Sequence, residues 1–506
     1  MAGIRRYTFF LFFLRFLRVG LSLFSVSLSS KFFGISFDRD AWLLAFAFVS
    51  IMDVMLWGAL NETFRTKFIF LREEKGDVFV LRSVTSLIFF TLLISGGVCL
   101  FVMLKPNLVV NILAPSYEPS QTSLLAFMLV ILAPSFLLNQ FTHILNSILN
   151  AYESYFVPEI SGFISSFINI IVLFLLAPIM GIYSLAISFY LGLFVLLILL
   201  FIELRKRKIS LVSNICLDYR LALPFLLFAL PFYVPYISGQ VSSLIEKSLA
   251  ASLEVGSISL LDYSRKFSDI YSAVLGSVLT TILLPILSLK YIKFEESQFV
   301  KEFRNVFKLS TLIIVPISVV LFTSPQLFIR ILYKSANFNQ ETIYNMSILI
   351  RLYTIAAWAT FMNLNSSVVL MSSNRGKFCV IFGILSQIIA VTINFVLFQK
   401  VEVFIFPISL FCGQIIAAIG MFYYFPFERK TTYILLMRSA FVLIISGYLS
   451  LFLFELYSDY IRNDYLLLSI SGFVTIIVVA MTMFILRFES PSYFYKTILK
   501  YLNLKR

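Results

Sequence analysis

Residues 181–202 read GIYSLAISFYLGLFVLLILLFI, 22 residues without a charge. At 1.5 Å of rise per residue, a helical run of about 20 apolar residues matches the roughly 30 Å hydrocarbon core of a bilayer. The middle of this stretch, Ile187-Ser-Phe-Tyr-Leu-Gly192, returns as Ile408-Ser-Leu-Phe-Cys-Gly413, 221 residues further along. The same displacement carries Gly162 onto Gly383, Ser165 onto Ser386 and Phe174 onto Phe395. An even number of spans, six, separates the equivalent helices. That predicts parallel repeats related by an axis along the membrane normal, as two six-helix lobes facing each other.

Outward from this helix, about 14 segments of the 506-residue chain fit the spanning template. The composition agrees, with 60% hydrophobic and 13% charged residues, against roughly 45–50% and about 25% in soluble domains. Arg5 and Arg6 precede the first apolar segment as they would in a signal peptide. Arg15 and Arg18 interrupt that segment, however, and its length reads as an uncleaved first span. The connecting loops leave no room for a soluble ATPase, and no GxxxxGK[ST] occurs. The expected fold is an all-α polytopic membrane protein with two pseudo-symmetric six-helix lobes, residues 1–215 and 216–430. Two C-terminal helices and a tail, residues 431–506, complete it.

The formal charge of +14 comes from 40 Lys and Arg against 26 Asp and Glu. About 26 of the 40 cations fall in loops and tails on the side of the N-terminus and about 8 on the other side, so both termini are expected in the cytoplasm. The positive charge is a topology signal and gives no argument for nucleic acid. Four scattered cysteines form neither a metal motif nor a disulfide framework, and the single histidine, His143, excludes a multi-histidine site. His143 reads as satisfying a local hydrogen bond rather than sensing protons. No hydrolytic triad, paired glycosidase site or cofactor motif is present, so the chain reads as a transporter and not an enzyme, with any coupling ion left open.

Ionisable groups within spans cost roughly 2.5–3.5 kcal/mol each near a helix centre and usually face a cavity. Arg18, Arg265, Lys266 and Arg351 are the candidate cavity cations, suited to an anionic cargo such as a diphosphate. Asp53, Glu246 and Asp269 are the candidate cavity or gating acids. Each has a plainer reading. Arg15 and Arg18 can snorkel, Glu62 stands three residues before Arg65 at pairing distance, and Glu246 with Lys247 reads equally as a rim pair. Glu159 follows Pro158 in a first helical turn, where the dipole favours an anion. Arg265 and Lys266 are adjacent and point about 100° apart, so one faces the cleft and the other pairs or snorkels. Pro134, Pro231, Pro235, Pro285 and Pro316 are expected to bend or interrupt their spans.

The stretch Gln240-Val-Ser-Ser-Leu-Ile-Glu246, continued by Ala250-Ala-Ser-Leu-Glu-Val-Gly256-Ser-Ile-Ser-Leu-Leu-Asp-Tyr263-Ser-Arg-Lys266, resembles the seventh-to-eighth helix signature of the MurJ/MviN lipid II flippases. Leu275-Gly276, Thr281-Ile-Leu-Leu-Pro285-Ile-Leu-Ser288, Phe33-Gly34, Asp40-Ala41, Gly58-Ala59 and Ala114-Pro115 are similar to further family positions, and the resemblance covers most of residues 20–400. It implies a flippase of the bacterial inner membrane that moves an undecaprenyl-diphosphate-linked sugar, lipid II, by alternating access. Helices 13 and 14 would guide the lipid tail, with membrane lipids and cell-wall synthesis proteins as partners. The sequence also departs from the family. The helix 8 arginine position is Lys266 with Arg265 one residue earlier, Ser25 replaces the second arginine of helix 1, and helix 2 carries Asp53 and Trp57-Gly58. Flippases of lipid-linked O-antigen or exopolysaccharide units and ion-coupled small-molecule exporters, both from the wider superfamily, remain the alternatives.

Overall fold

The computed structural model describes residues 2–154, 156–278, 283–336, 338–427, 429–486 and 488. Side chains are described from residue 17 onward, except for 19, 158, 159, 213, 270–278, 285 and 429–431. Arg5, Arg6, Arg15, Pro158, Glu159, Leu275, Gly276 and Pro285 therefore lie outside the described side chains, and Thr281 outside the described residues. Every regular element among the described residues is helical. The chain forms two compact units, Met1–Leu260 with Ser335–Asn337 and Leu261–Lys334 with Phe338–Arg506.

The first unit contains α1 (Ala2–Phe33), α2 (Phe37–Lys75), α3 (Asp77–Leu104), α4 (Pro106–Leu113), α5 (Pro119–Leu132), α6 (Ser135–Ala151), α7 (Phe156–Met180), α8 (Tyr183–Lys206), α9 (Tyr219–Ala229), α10 (Tyr233–Ala251) and the first turn of α11 (Ser257–Val278). The second contains the rest of α11, then α12 (Leu284–Ile292), α13 (Glu296–Thr323), α14 (Pro325–Leu332), α15 (Gln340–Ser372), α16 (Gly376–Val401), α17 (Ile405–Tyr423), α18 (Arg429–Ser458) and α19 (Asp464–Ile485). Eleven segments among the described residues are long and apolar enough to cross a membrane, and the longest, Gly376–Tyr423, holds both α16 and α17. The protein is an all-α polytopic membrane protein.

Helix α2, at 39 residues, shows how local sequence sets an element. It starts where the extended Ser36 accepts the Arg39 N–H, with Asp38 and Asp40 at the positive end of the helix dipole, and it closes with Arg72 and Lys75 before Gly76. Leu60, Phe64, Phe68 and Leu71 recur at helical spacing and are fully buried. Phe64 stacks on Phe225 of α9 at 5.1 Å, and Phe68 meets the ring of Tyr152 edge-on at 5.6 Å. In lipid such residues gain little from leaving their solvent. What holds the helices together is close dispersion contact and aromatic geometry.

The internal repeat is written in the backbone. Helices α3 and α13 are both 28 residues long, and each is followed by an eight-residue helix opened by a proline, α4 or α14. The joints between them, Lys105 (φ −132, ψ 50) and Ser324 (φ −126, ψ 48), share one conformation. Positive φ recurs in the same way at Gly34 and Gly256, Gly76 and Phe294, Glu153 and Asn374, and Gly181 and Glu402. Within the first unit a Cβ at Gly192 of α8 would overlap Ser165 Oγ of α7. Within the second a Cβ at Gly413 of α17 would stand 2.6 Å from the Ser386 carbonyl of α16. The serines and glycines paired by the 221-residue displacement are thus the same close helix contact made twice.

The prolines act unevenly. Pro134 divides the 33-residue span Pro119–Ala151 into α5 and α6, whereas α15, also 33 residues, runs unbroken through Ile355 at the equivalent place. The carbonyl of Ile131 beside this break accepts the Tyr190 hydroxyl of α8 at 2.6 Å. Pro231 sits in the short 3-10 turn that separates α9 from α10, while Pro235 falls in the first turn of α10, where no N–H is needed. Pro316 lies within a continuous α13.

Candidate functional site

In the first unit Arg18 lies on α1 against α7, where the absence of a side chain at Gly162 admits its guanidinium: a Cβ there would be 2.8 Å from Nη1. Seven residues along both helices, Ser25 Oγ donates to Asn169 Oδ1 at 2.6 Å, and Asn169 Nδ2 donates to Ser188 of α8 at 2.9 Å. Ser25, which departs from the family's arginine, is thus fixed in a neutral network. Arg18 itself is exposed.

Asp53 is buried on α2, and its Oδ2 stands 4.0 Å from His143 Nε2 on α6. Its Oδ1 has no hydrogen-bond partner, and neither does the buried Gln140 Nε2 on the same helix as His143. One and two turns along α2 from Asp53, Trp57 Nε1 donates to Ser95 of α3 at 2.9 Å, and Asn61 Nδ2 donates to Gln140 Oε1 at 3.3 Å. Asp53, Trp57 and Asn61 therefore form a polar row facing α3 and α6. Glu62 points elsewhere and accepts the Tyr236 hydroxyl of α10. Glu246 and Lys247 are half-buried near the end of α10.

Asp40 is the group that sequence reasoning missed, having entered it only as part of a family match. Its Oδ2 accepts the Gly256 N–H at 2.6 Å, and its Oδ1 accepts the Ser259 N–H at 2.7 Å and the Ser259 hydroxyl at 2.5 Å. This carboxylate caps the start of α11 from another helix, as an N-cap side chain does from its own chain. Gly256 has φ +96, and a Cβ there would collide with Ile35. Beside the contact lies a polar recess of about 130 Å³ lined by Asp40, Ser116, Tyr117 and Gln121. Burial and the negative charge of Asp40 push the Tyr117 phenol above its ordinary range, so it stays neutral.

In the second unit the adjacent cations of α11 both find local partners. Arg265 Nε is 3.2 Å from Asp269 Oδ1 and Lys266 Nζ is 3.2 Å from Asp262 Oδ1, each across one helical turn. Such partly exposed pairs are worth about 0–1 kcal/mol. Arg351 of α15 donates from Nε to the carbonyl of Phe322 at 3.0 Å and lies over that residue's ring at 6.0 Å. Phe322 is in the last turn of α13, so the guanidinium satisfies a carbonyl with no helical donor and opposes the negative end of the dipole. Next to it an apolar cavity of about 340 Å³ is lined by Val319 and Phe322 of α13, Ile355 and Trp358 of α15, Phe411 of α17 and the α18 face around Leu443.

The sequence profile of the family described as "Lipid II flippase MurJ" matches residues 29–485. The chain belongs to that family. A protein named "Probable lipid II flippase MurJ" from Buchnera aphidicola subsp. Schizaphis graminum (strain Sg) is 22% identical over 332 residues, 65% of each chain. This chain thus spans just under two thirds of that relative's length. Among solved structures, "Lipid II flippase MurJ, inward closed conformation" superposes with a TM-score of 0.79 at 20% identity, over 97% of this chain and 100% of the other. An inward-facing multidrug resistance MATE family transporter of the MOP superfamily follows at TM-score 0.68 and 13% identity, over 81% and 97%. At these identities the two structures show the fold.

Proposed function

We propose that this protein is a flippase that moves the undecaprenyl-diphosphate-linked peptidoglycan precursor lipid II across the bacterial cytoplasmic membrane by alternating access. The observation that carries this reading is the family match over residues 29–485. The side chains supply the chemistry. Arg265 and Lys266 hold partners weak enough to exchange for a diphosphate, Arg18 is exposed on α1, and Arg351 adds a fourth cation. In this reading Asp53, Glu246 and Asp269 are cavity or gating acids, with Asp269 returning to Arg265 once cargo leaves. Residues 1–215 and 216–430 are the lobes that move, both termini face the cytoplasm, and cell-wall synthesis proteins are partners.

The apolar cavity against α18 suits part of a polyprenyl chain, which would leave only the headgroup to be wetted during transfer. The test is complementation of a strain depleted of its lipid II flippase, read alongside surface accessibility of lipid II. Growth with lipid II exposed at the outer face is expected. Stable membrane expression without either result refutes the proposal. Rescue of O-antigen or exopolysaccharide export alone would assign the protein to that cargo instead.

A further inference from the structure

We propose that Asp53 and His143 form a proton-binding site within the first unit. The inference goes beyond the transport reading and holds whichever lipid-linked cargo the protein moves. Three observations carry it. Asp53 is 6% exposed on a membrane helix, and its Oδ1 makes no hydrogen bond. Its Oδ2 stands 4.0 Å from Nε2 of the only histidine in the chain, too far for a hydrogen bond and close enough for a shared charge. The internal repeat then supplies a control: the displacement that joins Glu153 to Asn374 places His143 opposite Leu364 and Gln140 opposite Phe361. Asp53 falls opposite the stretch Tyr271-Ser-Ala-Val-Leu275, which holds no carboxylate and no imidazole. The backbone is built in the second unit without this pair, so the fold does not require it. A buried charge is weak support for stability, and an intramembrane one points to function.

The chemistry is a single uptake. Carboxylate and neutral imidazole together carry one negative charge, and uptake of one proton, on the Asp53 carboxyl or on the His143 imidazole beside it, brings the pair to neutrality. The elements packed on α2 leave His143 as the titrating partner. Helix α5 carries no titratable side chain; on α3, Asp77 and Arg82 are in the first two turns, Asp77 accepting the Tyr152 hydroxyl and Arg82 exposed, and Cys99 contacts Met103; Tyr219 and Arg220 of α9 are exposed in its first turn. On α10, Tyr233 donates to the Leu56 carbonyl and Tyr236 to Glu62, and Glu246 and Lys247 lie near its far end.

Trp57, one turn from Asp53, is a built-in reporter once Trp42 and Trp358 are changed to Phe. The experiment titrates Trp57 emission of the purified full-length protein from pH 5 to 8.5, in the parent and in Asp53→Asn and His143→Leu. One transition with a midpoint between about pH 5 and 8 is expected in the parent. It should vanish in Asp53→Asn and shift by about a pH unit or more in His143→Leu, which installs the residue the second unit already accommodates. A flat parent profile, a transition surviving Asp53→Asn, or an unmoved midpoint in His143→Leu each overturns the proposal. A sodium-dependent emission change at fixed pH that Asp53→Asn removes would also overturn it, in favour of a metal cation. Should Asp53→Asn fail to fold, His143→Leu alone decides.

Discussion

Replacing Asp40 by Ala should loosen the start of α11. The carboxylate accepts two backbone N–H groups and one hydroxyl within 2.5–2.7 Å, and both the acid and Ser259 are buried. A hydrogen bond to a charged group contributes about 1.5–3 kcal/mol, and each donor stranded in the interior adds its desolvation. The Ser259 hydroxyl can turn to another acceptor, whereas the two N–H groups are fixed by the helix. Counting those two bonds and the lost charge at the helix N-terminus, Asp40→Ala should cost about 3–5 kcal/mol. Asp40→Asn keeps the shape and one acceptor but turns an amide N–H toward a donor, for about 2 kcal/mol. Ser259→Ala removes only the hydroxyl bond, for about 1 kcal/mol. The assay is size-exclusion chromatography of detergent-solubilised protein after stepped heating, with hydrogen exchange at residues 256–260 locating the change. Equal stability of Asp40→Ala and parent, or a Ser259→Ala loss as large as that of Asp40→Ala, would refute the capping argument.

Gly192→Ala and Gly413→Ala should each destabilise by about 1–3 kcal/mol through overpacking, with Gly413→Ala the worse because it meets a backbone carbonyl rather than a hydroxyl; thermal stability of the two variants checks the order. Glu402 holds φ 53, ψ −132 where the first unit uses Gly181. Glu402→Gly should therefore stabilise by about 1 kcal/mol, the released strain exceeding the entropy lost, and an unchanged or lower melting temperature would contradict it.

What the sequence made legible was periodic or local. Spanning helices announce themselves through length and hydropathy, and the repeat showed through the Ser165 and Gly192 pair because small residues at a tight helix contact tolerate little substitution. The pairs within α11 were also readable in principle. Asp269 is four residues from Arg265 and Asp262 four before Lys266, so the acid that its place within a span made a gating candidate also stood at pairing distance from a cation. Other contacts left no such trace. Asp40 and Gly256 are joined across more than two hundred residues, and Asp53 meets His143 across ninety. The acceptor chosen by Arg351 is a backbone carbonyl, which every residue has and no sequence pattern marks.

The break at Pro134 has a counterpart in the second half that explains where the apolar cavity comes from. The displacement that pairs Pro134 with Ile355 also pairs Tyr190, whose hydroxyl serves the opened turn, with Phe411. At Ile355 the helix runs on without a break, so this turn is not opened and no carbonyl there calls for a hydroxyl, and the second half carries the bare ring. Both Ile355 and Phe411 face the 340 Å³ cavity. A matched pair of differences, an unbroken main chain and a ring without its oxygen, makes a hydrogen-bonded joint in one copy of the fold and the greasy wall of a chamber in the other.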